Sequence, residues 1–85
     1  LVWRGSTLWI NAAAAGGEVR AEVLDLDGNR WRQGLTAEQA IPISEDAIRL
    51  QVRWNNEEDL SDLKGRSVRL RFLLRNADVY AFWTE

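Results

Sequence analysis

The chain has no cysteine, no histidine, no methionine and a single proline. Without cysteine no disulfide braces the fold, so stability must come from packing alone. The compartment stays open, because many exported bacterial domains lack cysteine too. Without histidine the usual general base and the commonest metal ligand are missing. Catalysis would then fall to carboxylates, serine, lysine or tyrosine. A carboxylate pair can run glycoside hydrolysis. The acidic clusters here (Asp25 and Asp27; Glu57, Glu58 and Asp59) sit in polar, turn-like stretches, and an active-site cleft is hard to fit into so small a chain. The expectation is that the chain is not an enzyme. No apolar run approaches a membrane span, and the first residues do not read as a signal peptide. A net charge of -2 argues against nucleic acid or an anionic membrane as partner. The sequence begins at Leu1 and holds no methionine, so it is expected to be one module cut from a longer protein.

Eighty-five residues allow one domain, and a core this small must be well packed. A hydrophobic content of 46% and five tryptophans make that feasible. The organising stretch is residues 67–83. Val68, Leu70, Phe72 and Leu74 alternate with arginines at 69, 71 and 75, the period-2 mark of a strand with one dry and one wet face. A polar break at residues 75–78 separates it from a second strand, apolar on both faces, as a hairpin or a sheet-to-sheet corner. Upstream, residues 7–11 place Leu8 and Ile10 on one face and Trp9 on the other, and residues 11–17 read as a loop of small residues. Residues 18–25 point Val19, Ala21 and Val23 inward and Glu18, Arg20 and Glu22 to water. Residues 46–54 point Ile48, Leu50, Val52 and Trp54 inward. Pro42 suits an edge or a strand start. Leu60 and Leu63, at helical spacing, predict a helical turn that plugs one end of the core. Seven or eight short strands between turn signals predict an all-β, two-sheet antiparallel sandwich of jelly-roll type with one short helical turn, over residues 1–85.

Three constellations are candidates for binding. Asp25, Asp27 and Asn29 place oxygens at alternate positions, as at the start of a calcium loop, but the later ligands are absent and an Asp-Gly turn explains the same residues. If their strands share a sheet, Arg49, Arg53, Arg69, Arg71 and Arg75 form a basic stripe for a carboxylate- or phosphate-bearing polymer. The alternative is a solvated face interleaved with glutamates from residues 18–25. The tryptophans are the stronger lead. Trp54 is in phase with core positions, Trp3 and Trp31 have no assignable phase, and Trp9 points away from the core. Trp83 does too if Tyr80 and Phe82 face inward. Exposed indoles suit the flat C–H face of a pyranose ring, or else contact with a neighbouring domain.

Residues 1–11 (ending in Leu-Trp-Ile-Asn), residues 18–28, Val52-Arg53-Trp54 and residues 59–82 carry a resemblance. Its most specific parts are Leu63-Lys64-Gly65, Val68-Arg69-Leu70-Arg71-Phe72 and Asn76-Ala77-Asp78-Val79-Tyr80. Together they resemble a small C-terminal β-sandwich module that follows the catalytic propeller in bacterial proteins similar to glycoside hydrolase families thirty-two and forty-three. Trp9 and Trp83 depart from that pattern. The resemblance implies a secreted, or periplasmic, bacterial protein and a tethered catalytic domain, and no catalytic residue or cofactor in this chain. The functional expectation is a carbohydrate-binding module for plant-type polysaccharide of the β-glucan or hemicellulose kind. Trp9 and Trp83 would stack on sugar rings, while Arg69 and Arg71 hydrogen-bond hydroxyls. The alternative is a structural accessory sandwich whose exposed aromatics bury against the catalytic neighbour, with no glycan binding of its own.

Overall fold

A computed structural model describes residues 1–31, 33–55 and 60–85 of the chain. The acidic cluster at Glu57, Glu58 and Asp59 lies outside them. β1 (Leu8–Ala13) is the middle strand of a three-stranded sheet, flanked by β3 (Asp46–Val52) and β5 (Asp78–Thr84). β2 (Glu18–Leu24) pairs with β4 (Arg69–Arg75) in a second sheet, and every strand pairing is antiparallel. The chain is a small all-β sandwich. Alternation explains which faces meet. Leu8, Ile10 and Ala12 from one sheet are buried against Val19, Ala21 and Val23 from the other. Opposite those last three, Leu74, Phe72 and Leu70 of β4 occupy the same inner face. Trp3, Leu35, Leu63 and Val68 complete the core and are fully buried. Burying one such aliphatic side chain contributes about 1.5–3 kcal/mol, so the sandwich depends on both inner faces meeting.

The two long sides of the sandwich are built differently. On one side, residues 40–43 cross from sheet to sheet. The Ile41 N–H donates to the Arg53 carbonyl at 2.9 Å, and Val19 and Ile43 exchange two main-chain hydrogen bonds of 2.8 and 2.9 Å. The Trp54 indole N–H reaches across and donates to the Ala21 carbonyl at 2.9 Å. On the other side, β4 and β5 are successive strands, yet they belong to different sheets. Asn76, at φ 49°, turns the corner between them. Gly17 packs under that corner so closely that a Cβ on it would sit 2.0 Å from the Arg75 carbonyl oxygen. The expected helical turn is present as a 3-10 turn at Ser61–Leu63, with Leu60 and Leu63 buried. A second 3-10 turn lies at Gln33–Leu35.

Several expectations are corrected. Among the described residues five stretches form ladders, and Val2, Arg30, Ala40, Ile43, Trp54 and Ser67 pair only through isolated bridges. Ala12 and Ala13 belong to β1, not to a loop, because they pair with both neighbouring strands. Ile48 was expected in the core and is 80% exposed. Between Leu50, opposite Ile10, and Ala47, opposite Ala12, β3 carries one residue more than β1. That bulge reverses the side-chain parity, so Ala47 packs inward and Ile48 outward. Tyr80 is the extra residue of a similar irregularity in β5. Glu22 is buried rather than wet, since the turn at Thr36 and Ala37 lies over it. Among the described residues no helix is long and apolar enough to cross a membrane.

Candidate functional site

The tryptophan face lies on the outside of the three-stranded sheet. Leu8 and Ile10 anchor the inner side of β1, so strand geometry turns Trp9 outward between them. Trp9 stands directly opposite Trp83 on β5 and Gln51 on β3, so Gln51, Trp9 and Trp83 form one row across the sheet. Asn11 and Ala81 are paired on the same outer face. Both indoles are half-buried. The two sequence-predicted tryptophans are therefore brought together, side by side.

One of them is already covered. The Arg49 guanidinium sits over the Trp9 ring, 4.1 Å from its centroid, and is held there by the Glu85 carboxylate. Such a cation–π contact is worth about 0.5–1 kcal/mol at an exposed site. The Trp9 Nε1 is itself enclosed without a hydrogen-bond partner. Among the described residues Arg49 thus leaves Trp83 as the indole of the pair with no cation stacked on it. Arg53 donates to the Gln51 side-chain oxygen at 3.1 Å, fixing that amide beside Trp9.

Arg69 and Arg71 are not part of this face. They project from β4 on the outside of the other sheet, where Arg71 pairs with the buried Glu22 at 2.9 Å. Arg75 likewise pairs with Glu18 at 3.0 Å, and Arg20 with Glu18 at 2.5 Å. Hydrogen bonds from Arg20 first and then Arg75 hold the Glu18 carboxyl below the ordinary carboxylate value, with desolvation opposing them. The single basic stripe does not form, because Arg49 and Arg53 lie on the first sheet's side of the sandwich. Glutamates interleave with the arginines of β4 instead. At the Asp-Gly turn the Asp25 carboxylate accepts the Asp27 and Asn29 N–H groups at 2.9 and 3.0 Å, while Gly28 takes φ 86°. That oxygen closes the turn, and among the described residues no three acidic side chains gather as a metal site.

A second surface went unread. Between the edges of β4 and β5 lies an open cleft of about 450 Å³ lined by Phe72, Leu74, Val79, Tyr80, Ala81 and Phe82. Phe72 and Phe82 meet across it with ring centroids 5.4 Å apart. Phe82 shares the inner face with Ile10, yet it is 47% exposed and Leu74 48%, because among the described residues no strand covers them. The available signal was the run at residues 79–83, apolar on both faces, which a strand with one wet face does not need. No family model, curated protein or solved structure matches this chain.

Proposed function

We propose that the chain is a non-catalytic carbohydrate-binding module that tethers a secreted bacterial glycoside hydrolase to a plant-type polysaccharide. The observation that carries this reading is the cross-strand row of Gln51, Trp9 and Trp83 on an outer sheet face. An indole offers a sugar ring an apolar plane, and flanking amides offer hydrogen bonds to its hydroxyls. Trp83 is the primary stacking ring. Trp9 supports it from beneath Arg49, and Gln51, Asn11 and Arg49 take the hydroxyl-binding role first considered for Arg69 and Arg71. The module would raise the local concentration of its tethered enzyme on the polymer. Affinity electrophoresis in gels holding β-glucan, xyloglucan or xylan tests this. Retardation of the wild-type chain should vanish in Trp83→Ala, weaken in Trp9→Ala and persist in Arg69→Ala, which alters the other sheet. Equal loss in Trp83→Ala and Arg69→Ala would sink this assignment of the site.

One observation favours the accessory-domain reading. With Arg49 stacked on Trp9, a single uncovered indole is a small platform for a polymer. A folded chain that no glycan retards supports packing of this face against a catalytic neighbour.

A further inference from the structure

We propose that the saccharide met by the tryptophan face carries a single uronate, whose ring stacks on Trp83 and whose carboxylate is taken by Arg49 and Arg53. This assignment rests on the carbohydrate-binding reading of the same face and narrows its substrate class.

The acceptors of the row are occupied and its donors are not. Gln51, Trp9 and Trp83 lie side by side across the sheet. Arg49 stands two residues before Gln51, and Glu85 two residues after Trp83. Their ion pair therefore runs corner to corner over the Trp9 ring. Arg53 stands two residues after Gln51 and donates to its side-chain oxygen at 3.1 Å. A guanidinium can only donate, so that oxygen is the amide atom turned to Arg53, and the Gln51 NH2 is left to donate elsewhere. The Trp9 Nε1–H is enclosed with no acceptor among the described residues. Each guanidinium carries several N–H groups. Arg49 and Arg53 have one hydrogen-bonded partner apiece among the described residues. A neutral sugar brings hydroxyls to this face, and hydroxyls donate as well as accept. A carboxylate only accepts, and it takes two parallel N–H bonds from a guanidinium.

Charge sets how many carboxylates fit. Glu85 neutralises Arg49, and Arg53 has no carboxylate partner among the described residues. The row therefore holds one positive charge in excess. Farther along β1, Ala13 is paired with Asp46 on one side and Asp78 on the other. Those carboxylates share the outer face, four residues from Trp9 or about 13 Å along the strand. A polymer with a carboxylate on every ring runs into them, and a net charge of -2 opposes its approach. One uronate branch on an otherwise neutral chain matches the single excess charge.

The test is a ¹⁵N–¹H titration of the whole chain, read at the Trp83 indole N–H, with defined oligosaccharides. The first is xylotetraose bearing one glucuronate branch. The second is the same compound with its carboxylate reduced to a hydroxymethyl group. The last is tetragalacturonate, which has a carboxylate on every ring. The glucuronate compound should bind about tenfold more tightly than its reduced form, and more tightly than tetragalacturonate. Raising salt from about 50 mM to about 500 mM should remove most of that advantage. Arg53→Gln should cut the ratio to about threefold or less, whereas Arg69→Gln, on the opposite sheet, should leave it unchanged. Equal affinity for the acidic and reduced compounds, with the Trp83 signal moving, overturns the uronate and leaves carbohydrate binding standing. Tighter binding of tetragalacturonate overturns it in favour of a general polyanion surface. A preference for the acidic compound that survives in Trp83→Ala overturns it in favour of charge alone. No shift with any of them, in a chain with a dispersed folded spectrum, overturns it as well, and retardation in the neutral-glycan gels then decides whether the carbohydrate reading falls with it.

Discussion

The sandwich has one sealed side and one open side, built from residues of similar apolarity. On the sealed side, residues 40–43 cross between the sheets and Trp54 donates its indole N–H to the Ala21 carbonyl. Trp54 is 2% exposed as a result. On the open side Phe82 and Tyr80 stay 47% and 66% exposed, although they are as apolar as their counterparts. The difference is one of main-chain cover. A crossing segment that pairs with both sheets excludes water where side chains alone do not. Exposed aromatic surface here therefore records strand edges left unpaired among the described residues.

The comparison can be broken most directly at the corner joining β4 to β5. Gly17→Ala drives a Cβ to within 2.0 Å of the Arg75 carbonyl oxygen and 2.4 Å of the Asn76 carbonyl oxygen. The backbone must shift, and a loss of about 3 kcal/mol or more is expected in urea unfolding. Next, Trp54→Phe leaves the buried Ala21 carbonyl without its donor on the sealed side and should cost about 2 kcal/mol. On the open side Phe82→Ser should cost less than about 1 kcal/mol by the same measurement, because half of that ring is already wet. Equal costs at Trp54 and Phe82 would erase the distinction between the sides. The smallest effect concerns pH. In the folded chain Glu18 titrates below its ordinary 4.5, so its stabilisation is complete above that value and is lost as pH falls through the lowered one. Glu18→Gln should flatten the acid limb of a plot of urea midpoint against pH.

The sandwich and its turns were legible because period-2 alternation survives in β1, β2 and β4. Leu8, Ile10, Val19, Val23 and Val68 all lie where alternation puts them. Ile48 does not, and the cause is a bulge opposite Ile10 and Ala12 that no local residue pattern announces. The outward placement of Trp9 follows from parity alone, whereas that of Trp83 depends on Phe82 lying opposite Ile10 on the inner face, with Tyr80 left 66% exposed, and their adjacency needed strand order. Arg69 and Arg71 lie on a wet face, as alternation requires, but on the sheet opposite the one that carries the indoles. Parity gives the face of each sheet, but only the pairing says which sheet. The cleft was hidden for the same reason. Residues 67–83 leave a hairpin and a sheet-to-sheet corner both open, and the corner is what forms, with β4 and β5 parting at Asn76 into different sheets.

The two bare edges are not equally sociable. β4 carries arginines at 69, 71 and 75, whereas β5 has only Asp78 at one end of a run otherwise free of charge. Charged gatekeepers discourage indiscriminate stacking of strands, and aromatic, charge-poor segments invite it. In concentrated solution, cloudiness should therefore begin with β5, and a lysine in place of Ala81 should delay it.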